Sequence, residues 1–483
     1  MDSITKFKKP QPLWEGIVLL AIKIIYFLFL IKNFNIFISI LIFFFSIYIY
    51  HKIIYYLFNL TPLSGYDKVF LTTDPIGRYQ IAAFSRYMHG FDPVKYRQFL
   101  IERLISKNAK CRSKIVKKFM EYYWYTEPDI EKAANSIIKC SPRLKDFNQV
   151  MEFIRSEVNN QIDIFHEFPY VLNMVPYGEN EGVCIFKFDH LFTDGLGVIA
   201  SLCLIADNFS EDTYPKILKM MKEPNIYQYV YLYLVSPFYC IYIFFNLLFE
   251  KERKCPFKAN KKEVSKETIV AISKKFNLKD FEKFRKLNNV SFNDVMLASF
   301  SITINNIYKK TDEYKNIKNI YIDLPVGRKM LPTKFDQLKI TNEASGLFFE
   351  IPLINNISDV TKIKKTIRSN FRPEIMFSLG LLADLLGNIF SWHFISKYSK
   401  DFNKRFDFMF TNVPGPAHKL TYYGMDLDEL YTFNGAEGGL PTICILSYDG
   451  YFQFCVDANK NTDFDIQMLV DEFEKQVEKF IIK

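Results

Sequence analysis

A chain of 483 residues is too long for one ordinary hydrophobic core and suits two domains or one large duplicated one. Hydrophobic residues make up 49% and charged residues 24%, which excludes broad disorder. The formal net charge of +9 is spread along the chain, without zinc-finger spacing or long arginine runs. That balance fits an anionic membrane surface or a phosphate-bearing substrate and argues against nucleic acid as a partner. With 49 Phe and 30 Tyr, and many Ile, Lys and Asn, the composition follows AT-rich codons. Single aromatic stripes therefore carry little weight, and neither do the N-x-S/T sequons at Asn59, Asn208, Asn289 and Asn356.

The chain opens on membrane-like sequence. Residues 13 to 31 are apolar apart from Glu15 and Lys23, and residues 34 to 58 are more apolar still. A helix crosses the hydrocarbon core in about 20 residues, so residues 1–60 form an anchor of one or two helices. The stretch is too long for a signal peptide, and no small-residue cleavage site follows. Lys6, Lys8 and Lys9 precede the first segment, and only Lys32 lies between the two. A two-span hairpin then leaves the globular part in the cytoplasm, which suits free cysteines, whereas a single span places it across the membrane. The first segment alone also reads as a surface helix, because Glu15 and Lys23 are costly in lipid.

After the break at "TPLSGYD" (61 to 67), residues 95 to 120 read as an amphipathic basic helix and 146 to 158 as another. "VCIFKF" (183 to 188) has the length and composition of a buried strand, and 196 to 207 look helical. A third apolar segment, 227 to 249, contains Pro237, which is expected to break a helix in its middle. It reads as an interfacial or re-entrant piece, or as a buried helix. The lysine-rich stretch 251–267 is the internal linker, dividing a half at 61–250 from one at 268–483. Beyond it, 268 to 276 reads as a strand, 278 to 287 and 292 to 308 as helices, and 320 to 326, 346 to 353 and 405 to 413 as strands. Ser291 and Asp294 have capping-box spacing. "TICILSYDGYFQFCVD" (442 to 457) predicts a hairpin around Asp-Gly, and an amphipathic helix over 463 to 481 closes the chain. Mixed strands and helices in both halves indicate an α/β fold.

The eight cysteines form no C-x-x-C pair and none sits at metal spacing with histidine, so no metal site is expected. Chemistry concentrates in "FDHLFTDG" (188 to 195). His190 stands at the end of a strand, where an imidazole with its near-neutral pKa can take a proton from an alcohol or thiol. Asp194 can hold the loop by pairing with an arginine, and Gly195 and Gly197 allow a tight turn. Spacing alone leaves the plainer reading open, with Asp194 capping a helix and His190 filling a core gap.

The wider series of motifs resembles one family. "DHLFTDG" resembles the H-H-x-x-x-D-G motif of the wax ester synthase/diacylglycerol acyltransferases, within the CoA-dependent acyltransferase superfamily that includes chloramphenicol acetyltransferase and condensation domains. In order, "PLSGYD" (62 to 67), the helix ending in Asn293-Asp294, "LPVGRK" (324 to 329), "TNVPGP" (411 to 416) and "SYDGYFQFCVDA" (447 to 458) resemble further segments of that family. The resemblance covers roughly residues 60 to 483.

It implies two chloramphenicol-acetyltransferase-like mixed-sheet halves around a central tunnel, preceded by the transmembrane hairpin. It implies transfer of a fatty acyl group from acyl-CoA, a co-substrate, to a lipid alcohol, with no cofactor and no covalent intermediate. His190 is then the general base and Asp194 keeps the loop in shape, through an arginine such as Arg328. Asn293 and Asn412 line the substrate tunnel, and Asn412 is the candidate for contacting the acyl carbonyl or CoA. The first histidine of the motif is replaced by Asp189, which either raises the pKa of His190 by proximity or faces the core side of the strand end. Other acceptors such as a sterol, and an inactive lipid- or acyl-CoA-binding module, remain open at this point.

Overall fold

The computed structural model describes residues 13–71, 80–210, 212–215, 225–249, 255–258, 265, 267–327, 334, 338, 340–342, 344–389, 405–435 and 439–481. The structure begins with two long helices, α1 (Leu13–Asn33) and α2 (Ile36–Phe58), then β1 (Leu60–Pro62) and the short α3 (Gly65–Phe70). The first half continues through β2 (Gln80–Tyr87), α4 (Pro93–Leu100), β3 (Ser113–Lys118), β4 (Glu121–Thr126), α5 (Ile130–Ile137), β5 (Ile138–Cys140) and α6 (Phe147–Asn159). It then runs through β6 (Tyr170–Tyr177), β7 (Glu181–Asp189), α7 (Gly195–Ile205) and α8 (Ile226–Phe249). The second half has β8 (Thr268–Ile272), β9 (Phe276–Asn277), α9 (Glu282–Asn288), α10 (Phe292–Lys309), β10 (Asn319–Gly327), β11 (Ala344–Pro352), α11 (Val360–Asn370) and α12 (Pro373–Ile389). It ends with β12 (Phe408–Val413), β13 (Thr421–Tyr422), β14 (Met425–Asp426), β15 (Glu429–Phe433), β16 (Thr442–Tyr448), β17 (Tyr451–Asn459) and α13 (Ile466–Glu478).

Two mixed sheets carry most of these strands, while β1-β4-β3 and β13-β14 form two small antiparallel sheets. The first runs β15-β2-β7-β6-β5 and the second β11-β10-β12-β16-β17-β8, with β9 also on β17. β15 lies late in the chain yet pairs antiparallel with β2, Tyr431 opposite Phe84, so the second half lends a strand to the first sheet. In the second sheet Ile322, Phe410, Ile443 and Ile445 pack into one core with Phe300 of α10 and Phe473 of α13. On the opposite face of that sheet, Leu446 and Val413 pack into the core of the first half. The face that one sheet turns away from its own helices thus becomes the interface between the halves.

Local chemistry explains the elements that the sequence predicts well. Asp449 and Gly450 both have positive φ, 49° and 79°, the backbone that a two-residue hairpin needs. Ser291 caps α10, its hydroxyl accepting from Asp294 N at 3.1 Å while Asp294 accepts from Ser291 N at 2.7 Å. Two expectations are corrected. The predicted basic helix over 95 to 120 stops early: α4 passes into a π-turn at Ile101–Ile105, and Ser113–Lys118 is β3, paired with β4. The strand forms because Ile115 is buried against Trp124. Pro237 does not break α8, which is continuous. Proline removes the N–H that the Tyr233 carbonyl would accept, and the Ser236 hydroxyl donates to that carbonyl instead at 3.1 Å.

Among the described residues, three helices are long and apolar enough to cross a membrane: Trp14–Asn33, Ile36–Phe58 and Ile226–Phe245. α1 and α2 pair through Tyr26 and Ser46, 2.7 Å apart, and through the rings of Phe27 and Phe43. Two of the three charges of α1 are matched by the hairpin β3–β4: Glu15 by Lys117 at 2.5 Å and Lys23 by Glu121 at 3.0 Å. All eight cysteines are free. Most of the linker 251–267, and Arg328, lie outside the described residues.

Removing the cap of the most buried helix should be measurable. Ser291→Ala should destabilise the fold by about 1 kcal/mol, seen as a lower thermal unfolding midpoint, with Ser291→Thr close to wild type.

Candidate functional site

β7 delivers Asp189 to the rim of the first sheet, opposite Gln80 of β2. There the chain turns: Phe192 N donates to Asp189 O at 2.8 Å, and Leu191 N to the Asp189 carboxylate at 3.0 Å. Asp189 is fully buried, and its side chain serves this turn. The next residue, His190, is partly exposed, and its ring stacks on Phe70 of α3, centroids 4.2 Å apart and 12° from parallel.

The protonation pattern of His190 follows from one amide. Asn342 Nδ2 donates to His190 O at 2.8 Å and to Asp67 Oδ1 at 3.1 Å. Both partners accept only, which fixes which end of the amide is nitrogen. Asn342 Oδ1, 2.9 Å from His190 Nδ1, must therefore accept, and Nδ1 carries the hydrogen. The lone pair of the neutral ring is then on Nε2. Burial pushes the His190 pKa below its ordinary value against the pull of Asp194 and Asp67, so the ring is a neutral base at pH 7. Of the two alternatives for Asp189, the structure shows the core-facing one.

Asp194 caps α7, and Gly197 N donates to its Oδ1 at 2.8 Å. Its Oδ2 accepts from Ala344 N, also at 2.8 Å, at the first residue of β11. Two backbone N–H groups hold the carboxylate, which binds the turn of one half to a strand of the other; the arginine suggested for it, Arg328, lies outside the described residues. The tight turn does not use positive φ at either glycine. Gly197 is needed for space, since a Cβ there would lie 2.2 Å from Thr193 Oγ1.

The remaining candidates meet on the second half. Asn412, near the end of β12, donates from its amide to Asn293 Oδ1 in the first turn of α10. The residue after Asn412, Val413, reaches the turn that carries His190: a Cβ on Gly195 would lie 3.4 Å from Val413 Cγ2. An apolar cavity in the first half has Phe192, Thr193 and Ile340 in its wall, beside Tyr96, Leu100 and Phe186. Away from this site, His166 pairs with Asp163 at 2.8 Å. No group of three or more His, Cys, Asp or Glu among the described residues could hold a metal ion.

Sequence reasoning missed Asn342 and Phe70. Asn342 sits in a loop with no periodicity, 152 residues from His190. Phe70 and Asp67 adjoin or fall within "PLSGYD", whose resemblance gave a position and no role.

Residues 342–480 match the family model of the WS/DGAT C-terminal domain, whose first matched residue is the asparagine that orients His190. No curated protein matches the chain. The fold is similar to that of the wax ester synthase/diacylglycerol acyltransferase from Marinobacter aquaeolei VT8, at 15% identity and TM-score 0.57, covering 87% of this chain and 98% of that one. It is similar to trichothecene 15-O-acetyltransferase from Fusarium sporotrichioides, at 12% identity and TM-score 0.65, covering 88% and 95%. It also matches a starter condensation domain of rhizomide synthetase in complex with C8-CoA, at 11% identity and TM-score 0.58, covering 87% and 94%. Residues 342–480 thus resemble the WS/DGAT C-terminal domain, and the chain shares its fold with these acyltransferase structures.

Proposed function

We propose that the protein is a membrane-bound O-acyltransferase that moves a fatty acyl group from acyl-CoA to a lipid alcohol, giving a wax ester or triacylglycerol. The observation that carries this reading is His190, neutral, with Nδ1–H held by Asn342 and Nε2 left as the base. The acceptor O–H gives its proton to Nε2 as its oxygen attacks the thioester carbonyl. The tetrahedral intermediate collapses, the C–S bond breaks, and the imidazolium returns the proton to the CoA sulfur. Asn342 and Asp67 stabilise the transient imidazolium, and Asn412 is placed to meet the carbonyl or CoA. The cavity behind Thr193 suits an acyl chain, being lined by Leu, Phe, Tyr and Ile side chains. The complex of a condensation domain with C8-CoA supports acyl-CoA as the donor.

Membrane attachment suits that chemistry, because acceptor and product both dissolve in lipid. α8 adds to the N-terminal hairpin a helix without a charged residue, exposing Tyr227, Tyr231, Leu234, Phe238 and Phe245. A two-span hairpin places the catalytic part in the cytoplasm, on an endoplasmic reticulum surface.

Solubilised protein with palmitoyl-CoA should release free CoA only when hexadecanol or dioleoylglycerol is present, and His190→Ala should lower that rate at least about 100-fold. Acyl-CoA binding without CoA release in the folded wild type would replace the enzyme reading with a binding module. The depressed pKa sets the pH profile: kcat/KM should stay level as pH falls through 6.5 and decline only below it, where Nε2 takes a proton. Restoring the first histidine of the motif should not help. Asp189→His loses a buried acceptor for Leu191 N, at about 1–3 kcal/mol, so its thermal midpoint should fall and its kcat should not rise, while Asp189→Asn stays near wild type.

A further inference from the structure

α3 is six residues long and touches every part of the His190 loop. Phe70 stacks on the imidazole, Asp67 holds Asn342, and the Tyr66 hydroxyl donates to the carbonyl of Ala344, whose N–H Asp194 accepts. So short a helix cannot fix its own position, and its other side is held by three contacts. Its backbone lies directly on α12: a Cβ on Gly387 would be 2.1 Å from Gly65 O, and one on Gly65 would be 2.2 Å from Asp384 O. Tyr66 N donates to Asp384 Oδ1 at 2.9 Å. Lys68 Nζ lies 3.9 Å from Glu121 Oε2 of β4.

These holders are themselves joined by one side chain of the N-terminal hairpin. Lys23, midway along α1, donates from Nζ to Glu121 Oε1 at 3.0 Å and to Asn388 O, at the end of α12, at 2.9 Å. The side chains of Lys23, Glu121 and Lys68 are 14%, 9% and 9% exposed. His51 of α2 stands 4.0 Å from Glu121 Oε2. Burial alone would raise the Glu121 pKa; Lys68 and Lys23 overcome it and hold the carboxyl at about 2, so Glu121 is a carboxylate at neutral pH.

We propose that Lys23 is a positioning residue for His190: by clamping β4 to the end of α12 it fixes the bed on which α3 presses Phe70 and Asp67 against the histidine and its asparagine. The membrane hairpin is then part of the catalytic frame as well as an anchor. The inference rests on the acyltransfer reading of His190. A lysine that only offsets the cost of packing α1 on the domain would affect folding and leave the folded enzyme's chemistry alone.

The test uses the full chain in detergent or nanodiscs, with Lys23→Met, Lys23→Arg, Gly387→Ala and, as a control on the same helix, the exposed Lys32→Met. Lys23→Met should stay in the membrane fraction with KM for palmitoyl-CoA within about twofold of wild type and kcat lower by on the order of tenfold. The acid limb of its pH profile should move up. Three groups face the ring: Asp194 from its own turn, Asp67 from α3 and Asn342, and relief of burial outweighs any loss of Asp67. Lys23→Arg should restore most of kcat, Lys32→Met should match wild type, and Gly387→Ala should reproduce both changes with Lys23 intact by pushing α3 off α12. Wild-type kcat and an unmoved acid limb in Lys23→Met would overturn the proposal. So would a loss of activity that merely follows the fraction of folded protein. If Lys23→Met does not fold, Gly387→Ala decides alone. If the wild type transfers no acyl group, the acyltransfer reading fails. The positioning is then read from the pH dependence of His190 modification by diethyl pyrocarbonate, which should shift in Lys23→Met and Gly387→Ala and stay put if Lys23 has no such role.

Discussion

The Asn342 side chain is the point on which the site depends. One amide, 4% exposed, bonds the imidazole, the carbonyl behind it and a carboxylate on α3. It comes from the approach to β11 in the second half, whereas His190 ends a strand of the first sheet and Asp67 precedes both. Three distant segments must dock before the base has its tautomer. The Asp194–Ala344 bond fastens the same two loops a second time. The strand β15, lent to the first sheet, makes that docking hard to undo, because separating the halves would break a ladder from Glu429 to Phe433. Orientation of the histidine is thus a property of the assembled fold, achieved without a carboxylate directly on Nδ1.

That choice of partner has an electrostatic consequence. A carboxylate on Nδ1 would favour the imidazolium strongly, whereas a neutral amide orients the ring with less effect on its charge. Burial then prevails and the resting ring is neutral, as a base must be before it takes a proton. The carboxylates that raise its basicity, Asp194 and Asp67, act on it without being its Nδ1 partner. Asp189, adjacent in sequence, turns inward to the strand end. Nearness along the chain was a poor guide here because side chains alternate across a strand and its continuation.

What could be read from the sequence was what local physics decides. The Asp-Gly hairpin, the capping box of α10 and the buried strand before His190 each depend on a few consecutive residues, and each formed where expected. The series of motifs also gave the acyltransferase fold. The missing pieces depend on distant packing. Nothing around Asn342 or Phe70 marks them as neighbours of His190, and the run 95 to 120 kept a helical pattern that β4 overrode by offering a partner strand to Ser113–Lys118. Pro237 was misjudged for a different reason: the rule that proline breaks helices counts a lost hydrogen bond, and Ser236 replaces it. Arg328, which the resemblance suggests as the partner of Asp194, lies outside the described residues, and the two backbone N–H groups that bond that carboxylate carry no signal in the sequence.

The same accounting explains charges in an apolar helix. Glu15 and Lys23 would each be expensive in hydrocarbon, and from sequence alone they argue against α1 as a membrane segment. In the fold they lie eight residues apart on one face, against Lys117 and Glu121 of the β3–β4 hairpin, while Ile17, Ile22, Ile25 and Phe29 stay exposed on the others. The helix therefore has a side that packs on the protein and an apolar side left exposed. Its charges record where the globular half sits, close along the anchor and not at the end of a tether.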